Sequence, residues 1–138
     1  ALGVLNLEGI QTRYTDPNPI LDEIAAVGKD DFVTLMQRLY AEPIKPELIE
    51  QRIQEIKAQG GIAAVSATPA GALKFGEAVA RAEADLFFVQ ATVVSTAHLS
   101  PQSVSPLDLA HFCQEMPIPV VLGNCVTYEV ALNLMKAG

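Results

Sequence analysis

Four short apolar runs constrain this chain more than any other feature: residues 2–7, 62–68, 85–90 and 119–124. A strand with one wet face alternates apolar and polar side chains. These runs do not, and so read as strands buried on both faces, the habit of parallel sheets. Between them lie longer segments with helical spacing and clear start signals. Asn18-Pro19 supplies an N-cap and an N1 proline ahead of Ile20, Leu21, Ile24 and Val27. Lys45-Pro46-Glu47 opens a helix whose Leu48, Ile49, Ile53 and Ile56 form one stripe. Thr68-Pro69 leads into Leu73, Phe75, Val79 and Ala82; Ser105-Pro106-Leu107-Asp108 and Thr127 mark two further starts.

The order expected is β, three helices, β, α, β, α, β, α. Strand–helix alternation with continuous apolar strands implies a parallel α/β sheet with right-handed crossovers. The first crossover spans about 50 residues and holds an extra helix near residues 31–40, an insertion in one unit and not a second domain. Two architectures suit the pattern: a small doubly wound domain, or half of a (β/α)8 barrel, whose full length is typically about 250 residues. A doubly wound nucleotide domain needs a glycine-rich turn after its first strand. Asn6-Leu7-Glu8-Gly9-Ile10 has neither GxGxxG nor GxxxxGK[ST], which favours the partial barrel.

Charge and cysteine usage narrow the functions. A net charge of −7 disfavours a nucleic-acid or anionic-membrane surface. No apolar run approaches the roughly 20 residues of a membrane helix. Two cysteines in apolar settings read as reduced thiols of a cytoplasmic protein. Two separated His and two separated Cys offer no metal-ligand spacing, so no metal is expected. The chain opens inside a strand pattern without Met and closes on Gly138, a helix C-cap residue; both ends read as cuts through a fold, giving one incomplete barrel domain over residues 1–138.

Specific motifs carry a family resemblance along essentially the whole chain. Gly3-Val4-Leu5-Asn6-Leu7-Glu8-Gly9 resembles the second barrel strand of the IMP dehydrogenase/GMP reductase family. Gly61-Ile62-Ala63-Ala64-Val65-Ser66-Ala67-Thr68 resembles its third, and Ala84-Asp85-Leu86-Phe87-Phe88-Val89-Gln90 its fourth. Ile118-Pro119-Val120-Val121-Leu122-Gly123-Asn124-Cys125-Val126-Thr127 resembles the fifth, with its Gly-Asn-x-Val-Thr element. Together with Ala91 to His98, these features look closest to a bacterial IMP-dehydrogenase-related branch, in which a helical segment follows the second strand where many IMP dehydrogenases carry a CBS pair.

The resemblance implies units 2 to 5 of a TIM barrel from an NAD-dependent purine-nucleotide oxidoreductase, IMP to XMP in guanine nucleotide synthesis, with a tetrameric parent. The family's nucleophilic Cys, phosphate-binding loops and flap would lie past Gly138, leaving no catalytic residue in this chain and little activity on its own. By position, Asn124 matches an Asn near the nicotinamide ribose, where an amide can donate and accept without a change of charge. The end of the fourth strand commonly carries an Asp; here Gln90, Ala91 and Thr92 stand, with Gln90 and Thr92 as cofactor-side candidates. Glu83 occupies a helix end where the family commonly has Gly. Two other functions suit the strands: a flavin-dependent barrel oxidoreductase of the nitronate monooxygenase type, and a non-catalytic α/β interaction module.

Several residues invite a sharper role than their setting supports. Cys125 follows a strand end but has no His near it in sequence, so a buried apolar thiol is the default. Cys113, among Leu109, Phe112 and Met116, reads as packing, and His111 as a solvated helix residue. His98 lies in a loop on the face where barrels place chemistry. Glu8 reads equally as a strand-end ligand contact or a loop acid. Thr68-Pro69-Ala70-Gly71 offers helix-start N–H groups as an anion site.

Overall fold

The structure, a computed structural model, describes residues 2–90 and 108–138. Four parallel strands form one sheet in the order β1-β2-β3-β4: β1 (Val4–Asn6), β2 (Ala64–Ala67), β3 (Leu86–Gln90) and β4 (Val120–Gly123). Between β1 and β2 come a short 3-10 helix (Ile10–Thr12), α1 (Asn18–Ala26), α2 (Phe32–Ala41) and α3 (Pro46–Ala58). Then α4 (Pro69–Arg81) follows β2, α5 (Leu109–Glu115) precedes β4, and α6 (Tyr128–Ala137) follows it. Neighbouring strands are neighbours in sequence and every pair is parallel, the arrangement of a partial (β/α)8 barrel.

Register separates the two faces that the continuous apolar runs left merged. Leu5, Val65, Phe87 and Val120 form one row across the sheet, and Ala67, Val89 and Leu122 another. Both rows join a single core with Ile49 and Ile53 of α3, Phe75 and Val79 of α4, Leu109 and Phe112 of α5 and Leu134 of α6. All four helices therefore cover the same face. The opposite face carries Val4, Ala64 and Leu86 in one layer and Asn6, Ser66, Phe88 and Val121 in the next. Such side-chain layers fill the inside of a barrel. Alternation in β3 shows the contrast: Phe87 and Val89 are buried, whereas Leu86 and Phe88 are half-buried.

Helix starts follow the sequence signals with one exception. The side chains of Thr68, Asp108 and Thr127 cap α4, α5 and α6, accepting from the N–H groups of Gly71, His111 and Val130. Pro46 is the first residue of α3. The exception is α1, where Asn18 is already helical; the Asp16 carboxylate accepts from its N–H at 3.0 Å instead. At the far end of α4, Glu83 adopts φ 54°, the left-handed conformation that glycine tolerates best. Two side chains from α3 hold that end: Gln54 donates to the Ala82 carbonyl at 2.9 Å and Lys57 to that of Glu83 at 2.5 Å.

The inserted helices are an annex to the barrel unit. Leu35 and Leu39 of α2 pack on Ile10, with Tyr14, Ile20, Ile24 and Val27 around them, a cluster separate from the main core. Among the described residues no helix is long and apolar enough to cross a membrane.

Candidate functional site

The carboxyl ends of the strands collect the polar side chains of this sheet. Alternation carries the inward-facing layers upward from Asn6, Ser66 and Phe88 to Glu8, Thr68 and Gln90, with Gly123 opposite Gln90. Barrels place their chemistry on this rim. Asn124 follows Gly123 directly, so the amides of Gln90 and Asn124 end two paired strands on one edge, both exposed. Thr92 and His98 lie outside the described residues.

Glu8 answers the question that its sequence position left open. Its Oε2 accepts from the N–H of Thr68 at 3.0 Å, and its Oε1 accepts from the Thr68 hydroxyl at 2.8 Å. The same hydroxyl accepts from the N–H of Gly71. The helix start expected to be a candidate anion site is thus occupied by the chain's own carboxylate, which complements the N-terminal dipole of α4. Gly71 leaves the necessary room: a Cβ there would lie 2.8 Å from Oε1 of Glu8.

The loop that presents Glu8 is fastened on every side. Its N–H donates to Oδ1 of Asn6 at 2.9 Å. Buried Thr12 donates from its hydroxyl to the Leu7 carbonyl at 2.7 Å, closing the turn. Arg13 reaches the Glu8 carbonyl with Nη2, donates to the Tyr40 and Glu42 carbonyls with Nη1, and lies 4.9 Å from the centre of the Tyr40 ring. Arg52 of α3 donates to the Gln11 and Thr15 carbonyls, and through Nη1 to both oxygens of Glu55. Hydrogen bonds from Arg52, then from Gln51, hold the Glu55 carboxyl below its usual range. A fork of guanidinium donors satisfies several turn carbonyls at once, which a lysine could not do.

Comparison with known proteins gives this rim a context. No family model matches the chain. Over an alignment of 142 residues covering 99% of the chain, it is 30% identical to an uncharacterized oxidoreductase of Mycolicibacterium smegmatis and 32% identical to one of Mycobacterium tuberculosis. The chain spans 38% of the length of each. Among solved structures, an IMP dehydrogenase/GMP reductase-like protein from Corynebacterium glutamicum superposes with a TM-score of 0.87 at 29% identity, over 99% of this chain and 36% of that one. The chain is similar in sequence and in fold to an IMP dehydrogenase/GMP reductase-like protein.

That likeness extends across every described strand and covers the edge where Gln90 and Asn124 stand. Cys125, beside Asn124, is exposed and not the buried apolar thiol expected, because it follows the end of β4 outside the packed core. Cys113 sits half-buried in α5, where burial pushes its thiol pKa up, as expected of a packing residue. His111 is exposed on the same helix, 3.2 Å from Glu115. Among the described residues no three His, Cys, Asp or Glu side chains gather as a metal site requires. A cavity of about 660 Å³ lies elsewhere, lined by Leu2, Val4, Leu5, Ile56 and Ile62 beside β1. Its apolar lining carries no group for chemistry.

Proposed function

We propose that this chain forms the cofactor-side part of an NAD-dependent purine-nucleotide oxidoreductase that converts IMP to XMP. The carrying observation is the Gly123-Asn124 strand end paired with Gln90 on the carboxyl rim, in a chain whose curated relatives bear the name oxidoreductase. NAD bound there would accept the hydride. Asn124 and Gln90, with Thr92, are the residues to hold it, and their chemistry suits only one portion of the molecule. Neutral amides match a carboxamide and ribose hydroxyls, which need donors and acceptors but no countercharge. The start of α4 is already filled by the carboxylate of Glu8, which accepts from the Thr68 N–H that a phosphate would otherwise take. The pyrophosphate of the cofactor and the phosphate of the nucleotide would then be bound by other parts of the parent protein.

The role of these side chains is to orient, not to react. A cofactor held at the rim by two amides loses rotational freedom before hydride transfer, and such positioning can supply several kcal/mol of barrier reduction. The attacking Cys of this reading belongs to a loop outside this sequence, and the reaction belongs to a cytoplasmic homotetramer. The test is NADH formation from IMP and NAD by the full-length protein, with the 138-residue chain alone as the comparison. Turnover by the full-length protein and none by the chain is the expected result. Turnover by the isolated chain, or none by the full-length protein, rejects the assignment.

A further inference from the structure

We infer that Glu8 is a positioning residue: acting through Thr68, it fixes the turn from β2 into α4 on the rim proposed to hold the cofactor. Two independent constraints meet in its side chain. On the β1 side its backbone is immobilised, through the bond to Asn6 and through Arg13, whose own fork is anchored to the end of α2. On the β2 side both carboxylate oxygens are committed to Thr68, across 60 positions of sequence. Gly71 keeps the space that the carboxylate fills. A turn tied in this way does not have to be ordered when a ligand arrives, and ordering costs appear in binding more than in the chemical step.

The alternative role for a strand-end acid is direct action on the ligand through its charge or its proton. Glutamine separates the two roles. In Glu8→Gln the amide oxygen can accept from the Thr68 N–H and the amide nitrogen can donate to the Thr68 hydroxyl, so the tie survives while the charge is gone. Glu8→Ala removes both.

The experiment combines steady-state kinetics of the full-length protein with amide hydrogen exchange over residues 68–72. The kinetic arm rests on the oxidoreductase reading; the exchange arm does not, so a protein inactive on IMP and NAD would still decide whether the tie exists. Glu8→Ala is expected to raise KM for NAD about 5- to 10-fold with kcat changed less than about 2-fold, and to speed exchange at Thr68 and Gly71 at least about 10-fold. Glu8→Gln should stay within about 2-fold of the wild type in both arms. Gly71→Ala should mimic Glu8→Ala, and its effect should shrink when the two are combined, because the shortest contact is lost with the carboxylate while that to the Ala67 Cβ at 3.1 Å remains. Unchanged exchange in Glu8→Ala, or a Gln variant that loses kcat as severely as the Ala variant, overturns the assignment.

Discussion

Gln90, the last residue of β3, is paired in register with Gly123 of β4, the residue directly before Asn124. Sequence places these two amides 34 positions apart (124 − 90), and only the parallel register makes them neighbours. Because both are exposed and neither joins the core, their replacement tests function with little cost in stability.

Asn124→Ala is therefore expected to lower kcat/KM of the full-length protein by about 10- to 1,000-fold, the range for a hydrogen bond lost beside a reacting centre. Its melting temperature should be unchanged within about 2 °C. Cys125→Ser is the paired control, with kcat/KM within about 2-fold of wild type. Loss of activity in the serine variant with activity kept in the alanine variant would reverse the two roles.

The thiols themselves offer a measurement independent of substrate. Cys125 is exposed, whereas burial raises the pKa of Cys113. A neutral alkylating agent reacts with thiolate, so at pH 8 it should label Cys125 first, with Cys113 at least about 10-fold slower. Mass spectrometry of peptides after timed quenching reads the order; equal rates would mean that α5 does not shelter its cysteine.

By volume, Phe87 is the largest of the fully buried side chains among the described residues. It is fully buried in β3, and its ring meets Phe112 of α5 edge to face at 5.8 Å and 66°. Phe87→Ala should destabilise by about 3–5 kcal/mol, since both transfer energy and packing are lost at a site that cannot collapse around the gap. Leu86→Ala, one position away on the half-buried opposite face, should cost less than half as much. Denaturant midpoints of the two variants give the comparison, and similar losses would mean that the two faces are covered alike.

Much of this architecture was legible in the chain, for identifiable reasons. Pro46, Thr68, Asp108 and Thr127 stand at the helix starts that their chemistry predicts, and the four apolar runs are the four strands in sequence order. What could not be read was anything set by register. Runs such as Leu86-Phe87-Phe88-Val89 carry no alternation, so only pairing reveals that Phe87 and Val89 face the helices. The bond between Glu8 and Thr68 was hidden for a related reason: both residues carried a start or strand-end signal, but neither signal names a partner 60 residues away. Asn18 shows the limit of local rules, since it is itself helical and Asp16, two positions earlier, accepts from its N–H. Glu83 shows the reverse: it stands where a glycine suits the backbone, and Lys57 and Gln54 reach across from α3 to hold that turn.

The two sheet edges determine how the 138-residue chain behaves in solution. Among the described residues only β2 pairs with β1 and only β3 with β4, so within them each outer strand presents a row of unpaired N–H and C=O groups. Apolar side chains surround both rows. Leu2, Val4 and Ile62 stand exposed near β1, the last at 58%, and Val121 and Met135 near β4, the latter at 80%. A second cavity of about 400 Å³, lined by Val120, Leu122, Leu134 and Met135, runs along the β4 side. Exposed strand edges with apolar flanks drive association, because pairing satisfies the backbone and removes the flanks from water together. The chain alone is expected to dimerise or aggregate at micromolar concentration, with strong helical circular dichroism and a broad thermal transition. Analytical ultracentrifugation gives the association state. Lysine at Val4 and Val121 places charge on each edge and should shift the distribution toward monomer. A wild-type chain that sediments as a single monomer and melts sharply would show that its edges need no partner.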